Sequence, residues 1–145
     1  MRVEDVLRHK AGGAVVATVA GNATIGDALA QLVERNVGAL VVTADGEHVD
    51  GVISERDVAR GLYARGSAVL ADLVSTVMTA QVHTCTPTTQ VLDLAKTMTE
   101  HRVRHVPVVV DGRLTGIVSI GDVVKARLDE LEEERRQLVD YIQTP

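Results

Sequence analysis

This chain contains one pattern twice, and that repetition limits what it can fold into. Val37-Gly38-Ala39-Leu40-Val41-Val42 lies opposite Val103-Arg104-His105-Val106-Pro107-Val108, and Asp45-Gly46 lies opposite Asp111-Gly112. After one extra residue in the first copy, Gly51-Val52-Ile53-Ser54-Glu55-Arg56-Asp57-Val58 lies opposite Gly116-Ile117-Val118-Ser119-Ile120-Gly121-Asp122-Val123. Upstream, Ile25, Asp27 and Glu34 match Val91, Asp93 and Glu100. A period of roughly 65 residues is too long for a solenoid unit and suits two related subdomains.

Each copy has the same order of elements. A short β-rich piece comes first, from Ala14 to Val19 and from Val82 to Cys85. An amphipathic helix follows. Ile25, Ala28, Leu29, Leu32 and Val33 fall at helical spacing behind a Thr24-x-x-Asp27 cap, and Val91, Leu94, Ala95 and Met98 do the same in the second copy. Two strands then flank a turn: Ala39 to Thr43 and Val49 to Ser54, and later Val106 to Val110 and Leu114 to Ser119. Asp111-Gly112 is a strong hairpin signal. A second helix closes each copy, from Glu55 to Arg65 before Gly66, and from about Gly121 onward. The order is β-α-β-β-α twice, an α/β chain in which one unit alone is too small to bury both faces of its sheet. Two units packed sheet to sheet solve this. The expected division is 1–66, 67–126 and a helical tail at 127–145. The linker carries Val69, Leu70, Leu73, Val74 and Val77 and reads as a short packed helix.

Composition narrows the function. The chain has no Phe, no Trp and two Tyr, Tyr63 and Tyr141, so its core is aliphatic and aromatic platforms for single-stranded nucleic acid are missing. A formal net charge of −5 disfavours a nucleic-acid backbone as partner. A small anion remains compatible with a local cluster of Arg and His. One cysteine, Cys85, allows no intramolecular disulfide. Met1-Arg2-Val3-Glu4-Asp5 leads into mixed polarity rather than an apolar run, and no apolar run is long enough for a bilayer. The expectation is a cytoplasmic protein with no membrane and no nucleic-acid partner.

Ser54-x-x-Asp57 and Ser119-x-x-Asp122 each stand where a strand feeds a helix. Such a pair is an ordinary N-cap arrangement. It is equally a holder for a sugar phosphate: a carboxylate accepts both hydroxyls of a ribose diol, and the serine hydroxyl with the first free helix amides faces a phosphate. Both readings stand at this point.

The duplication, the Asp-Gly hairpin and the repeated Gly-φ-φ-Ser-x-x-Asp (φ apolar) resemble the cystathionine-β-synthase (CBS) domain pair from about residue 1 to 126. Arg102-Val103-Arg104-His105-Val106-Pro107-Val108 with Gly116 to Val123 is especially similar, and the helical tail resembles that of stand-alone two-repeat members in bacteria and plant organelles. The resemblance implies a pseudo-twofold pair of repeats whose sheets share an interface and leave two clefts. It implies a regulatory adenosine ligand: AMP, ADP, ATP, NAD(H) or S-adenosylmethionine. It gives Ser119, Asp122, Ser54 and Asp57 the ribose and phosphate roles. Arg56, Arg104 and His105, with Arg102 behind them, are the phosphate candidates. Val82, Thr84, Val103 and Val106 are adenine-pocket candidates for the second cleft, with Thr18, Val37 and Leu40 as their first-copy counterparts. Arg104 and His105 align with Gly38 and Ala39, and Arg56 with Gly121, so the clefts are chemically unequal; the Asp122 motif is the more complete, and its cleft ranks first.

Catalytic signatures are missing. There is no P-loop, no Gly-x-Gly-x-x-Gly, no Gly-x-Ser-x-Gly and no His-Glu-x-x-His, and the two serines have no evident activating base. His101 and His105 share no helical register, and Cys85 reads as a buried β position, so neither a metal site nor a nucleophile is expected. The expected function is a non-enzymatic nucleotide sensor that signals to a separate effector protein. Its alternative is a ligand-free scaffold for interaction or dimerisation. The tail stripe of Leu128, Leu131, Leu138 and Ile142, beside Glu130, Glu132, Glu133, Glu134, Arg135 and Arg136, reads either as a solvated, ion-paired face or as a homodimer seam.

Overall fold

The computed structural model describes residues 1–10 and 15–144. In chain order the elements are α1 (Val3–Arg8), β1 (Thr18–Val19), α2 (Ile25–Arg35), β2 (Ala39–Val42), β3 (Gly51–Ser54) and α3 (Glu55–Arg65). Two 3₁₀ turns, Gly66–Ala71 and Val74–Thr76, lead to α4 (Val91–His101), β4 (His105–Val110), β5 (Arg113–Ser119) and α5 (Ile120–Gln143). The first sheet runs β1-β2-β3, with β1 parallel and β3 antiparallel to β2. The second pairs β4 and β5 antiparallel around Asp111-Gly112, both at positive φ (51° and 78°). That is the two-residue turn whose twist matches the strands it joins.

The local elements follow from their residues. Thr24 caps α2 by accepting the Asp27 amide, and Asn36 ends it in the left-handed conformation. Arg102 ends α4 in the same way. Two aliphatic cores form. One gathers Ile25, Leu32, Leu40, Val42 and Ile53; the other gathers Val91, Leu94, Met98, Val106 and Val118. Strand β2 is buried on both faces: Leu40 and Val42 point to the first core, while Ala39 and Val41 point to the seam between repeats. Such all-apolar strands are the signature of a sheet covered on both sides. A backbone bond from Leu114 to the Glu47 carbonyl (2.6 Å) also ties β5 to the loop of the first repeat.

The repeats exchange their flanking segments. Val3 and Val6 of α1, numbered with the first repeat, are buried in the second core, and Val69 and Val74 of the linker are buried in the first. The backbone bonds match pairwise. Val3 donates to Thr89 and Val91 to Met1; Val74 donates to Ala23 and Ile25 to Asp72. These bonds require Asp72 and Leu73 to be extended, so the expected linker helix is broken into two 3₁₀ turns. The end of the second repeat and the tail form one helix, α5, continuous across residues 126 and 127.

The β-rich pieces are shorter than the sequence suggests. Ala14 lies outside the described residues, and β1 holds only Thr18 and Val19. Val82 to Cys85 is not a strand. Thr79 is held on Val52 by two backbone bonds (2.9 and 3.0 Å), and the chain joins the second sheet only at Cys85, through a parallel bridge to Val108. Residues 80–84 are taken up in crossing between the repeats. Among the described residues no helix is long and apolar enough to cross a membrane.

Candidate functional site

The two Ser-x-x-Asp motifs fold as capping boxes. Ser54 accepts the Asp57 amide (3.3 Å), while one carboxylate oxygen, Asp57 Oδ2, accepts both the Ser54 amide (2.9 Å) and its hydroxyl (3.0 Å). Ser119 and Asp122 repeat this: the Asp122 amide donates to Ser119 Oγ (3.1 Å), and the Ser119 amide to Asp122 Oδ2 (2.9 Å). The cap reading is therefore realised in both copies. It does not use up the site, because at Asp57 the two Ser54 bonds fall on Oδ2 alone.

Asp57 faces a cavity of about 770 Å³ between the repeats. Its floor on the first-repeat side is Gly38, Val52, Ser54 and the first turns of α3. The opposite wall is the crossing segment Thr79 to His83, followed by the turn from His101 to His105. The charge is one-sided. Arg56, Arg60, Arg102 and Arg104 line the cavity with three imidazoles, against Glu55 and Asp57. All four phosphate candidates, Arg56, Arg102, Arg104 and His105, meet here. Val82 and Val103 are the apolar surfaces of the same cavity.

This placement changes the assignment of the adenine candidates. Val82 and Val103 stand with Asp57 rather than Asp122, because the exchange of flanks brings the approach to the second repeat across the first repeat's motif. Val106 and Leu40 are fully buried, each in its own core, so neither can form a pocket wall. Thr84 is exposed and lies outside the lining. Val37 packs on the first core, and Thr18 lines a separate surface hollow of about 500 Å³ with Asp27 and Gln31.

His105 occupies the centre of the seam. Its ring reaches the Gly38 backbone from one side, and Lys10, Asp122, Glu55 and Arg104 surround it. Burial, helped by Lys10 and Arg104, pulls its pKa below the ordinary histidine value, against the opposing pull of Asp122 and Glu55. His83 and His101 stack on each other with centroids 4.2 Å apart. The fold thus brings together two histidines that lie 18 residues apart in the chain. Cys85 is buried at its bridge, and desolvation raises its thiol to about 11, so it stays protonated at neutral pH.

Arg60, Gln81 and Lys10 are additions that the sequence alone does not flag. Arg60 sits one helical turn after Arg56. The offset that relates Val3 to Val74 also relates Lys10 to Gln81, which lines the Asp57 cavity. Lys10 instead pairs with Asp122 (2.9 Å) and donates to the Ile117 carbonyl (2.8 Å).

Comparison with known proteins agrees with this architecture. The CBS-domain family profile matches residues 3–64 and 74–129. The CBS domain-containing protein CBSX3, mitochondrial, of Arabidopsis thaliana is 42% identical over 124 residues, which is 83% of this chain; the chain spans 60% of that relative's length. A crystal structure of a CBS-domain containing protein from Agrobacterium tumefaciens is 42% identical, superposes with a TM-score of 0.83, and shares 88% of this chain and 99% of its own. A CBS domain protein from Pyrobaculum aerophilum, complexed with AMP, is 29% identical with a TM-score of 0.73 over 84% of this chain and 89% of its own. With two family matches in tandem and the expected pair architecture, the chain belongs to the CBS-domain family and is a CBS-domain pair.

Proposed function

We propose that the chain is a regulatory module that binds an adenosine nucleotide in the Asp57 cleft. The observation that carries this is the convergence of four arginines and three histidines from both repeats on the start of α3, where Asp57 and Glu55 are the two carboxylates. In this reading the ribose diol donates to Asp57, an ionised acceptor whose bonds are about twice as strong as neutral ones. The phosphate meets Arg56, Arg104 and His105 at the N-terminus of α3, where free amides and the helix dipole favour an anion. Val82 and Val103 enclose the base. The cavity of about 770 Å³ is in the range of small-molecule sites, and the Pyrobaculum aerophilum relative is an AMP complex. AMP, ADP, ATP and NAD(H) all present this chemistry.

The ligand touches both repeats, so it favours one relative orientation of them, and a partner that prefers that orientation responds. The proposed role is binding without catalysis: both serines are engaged as caps, and the one thiol is buried and protonated. The output surface in this reading is α5. Val123 and Ala126 face the body, while Val124, Leu128, Leu131, Leu138 and Ile142 are exposed along another face. Their steps of four and three residues, with Arg135 filling the one interruption, make a heptad seam. A second copy of this chain is its proposed occupant, and a separate effector reads the assembly.

Titration calorimetry with AMP, ATP and NADH tests the site. Binding to the wild type and a loss of tenfold or more, about 1.4 kcal/mol, in Asp57→Ala is expected. Binding that Asp57→Ala leaves intact removes the assignment.

A further inference from the structure

The two clefts differ in how their carboxylates are occupied. Asp57 lines an open cavity, and Gln81, a neutral residue, lines the same cavity. Asp122 instead has an ammonium on it: Lys10 Nζ lies 2.9 Å from Asp122 Oδ2, the same oxygen that accepts the Ser119 amide. A second bond from Lys10 to the Ile117 carbonyl (2.8 Å) fixes that position, and both side chains are mostly buried, at 26% and 21% exposure. Position and charge coincide here, since Lys10 corresponds to Gln81 through the exchange of flanking segments.

We propose that Lys10 is a specificity-determining residue that holds the Asp122 carboxylate closed to ligand, so that the chain takes one nucleotide, at Asp57. This rests on the nucleotide reading above and adds its stoichiometry. A diol arriving at Asp122 meets a carboxylate whose charge Lys10 already pairs; to take both carboxylate oxygens it must displace that ammonium, and a displaced Lys10 leaves the Ile117 carbonyl without its donor. A buried polar group stripped of its partner opposes binding. The phosphate also finds less there: Gly121 stands where Arg56 does, and Gly38 and Ala39 stand where Arg104 and His105 do. The Asp57 side gathers its cations around an open cavity, whereas Lys10 is already paired with a carboxylate of its own chain.

The test is calorimetric stoichiometry with AMP on the full chain. The wild type takes one equivalent, Asp122→Asn keeps that equivalent with affinity changed by less than about twofold, and Asp57→Ala loses it. Lys10→Gln, which copies the residue at position 81, gains a second equivalent; melting curves show whether it is folded, and Lys10→Met serves if it is not. Two equivalents on the wild type, a tenfold loss in Asp122→Asn, or a single equivalent in folded Lys10 variants overturns this inference and leaves the nucleotide function standing. No heat on the wild type overturns both.

Discussion

The His105 imidazole packs directly against Gly38: a Cβ at position 38 would stand 3.0 Å from Nε2 and 3.2 Å from Cε1. The two positions are not counterparts in the duplication, since Gly38 aligns with Arg104 and His105 with Ala39. The missing side chain in one repeat thus makes room for the ring of the other. Gly38→Ala is expected to push His105 out of its place and to destabilise the fold by about 1–3 kcal/mol, the usual cost of overpacking. Urea unfolding reads the stability, and AMP titration reads a parallel loss of affinity. An unchanged midpoint and affinity would mean that the ring moves freely.

Caps and ligand contacts separate by mutation. Ser54→Ala and Ser119→Ala each remove one N-cap and are expected to cost about 1 kcal/mol of stability. Only Ser54→Ala is expected to weaken AMP as well, because only Ser54 lines the cationic cavity. Thermal melts and titrations on both variants check this, and equal losses of affinity would contradict it.

Acid should destabilise the protein in two steps. The folded state holds His105 below its ordinary pKa of 6.5, so the unfolded chain takes up that proton first. Its contribution is complete above 6.5 and is lost as pH falls through the lowered value. Asp122 is also lowered, from 3.8: burial opposes this, but the Ser119 amide and Lys10 outweigh it. Its contribution is complete above 3.8 and disappears in stronger acid. Urea midpoints taken from neutral pH downward should show both steps. His105→Gln removes the upper one, and Asp122→Asn reduces the lower, to which Asp5, Asp45 and Glu130 also contribute. His48, raised by Asp45, works in the opposite direction over the same range, so the comparison with His105→Gln decides: identical midpoints in the two proteins from neutral pH into mild acid contradict the placement of His105.

The seam on α5 predicts association. Leu131→Glu and Leu138→Glu place a charge on an exposed apolar stripe that the body does not cover. Sedimentation should show the wild type as a dimer and each variant as a monomer with unchanged helicity. A monomeric wild type contradicts the proposed occupant.

Much of the fold was legible in the sequence because duplication is a strong constraint. The helix at 55–65, its stop at Gly66 and the Asp111-Gly112 hairpin appear where local chemistry puts them. The linker and the strand before Cys85 did not, since their form is set by backbone bonds to the opposite repeat. The same exchange explains the site. Ser54, Asp57, Arg56, Arg104 and His105 were readable as candidates, and the fold gathers them at one cavity. Which cleft each wall belongs to was not readable, because Val82 and Val103 are local in sequence to Asp122 and close in space to Asp57. Leu40 and Val106 show the limit of reading a pocket from a strand: alternation does not say which face meets the core.

The decisive experiment is a structure of the protein with saturating AMP. The nucleotide is expected in the cavity between the repeats, its ribose diol on Asp57 and its phosphate among Arg56, Arg104 and His105. An empty cavity, or AMP held elsewhere with Asp57 untouched, would contradict that placement.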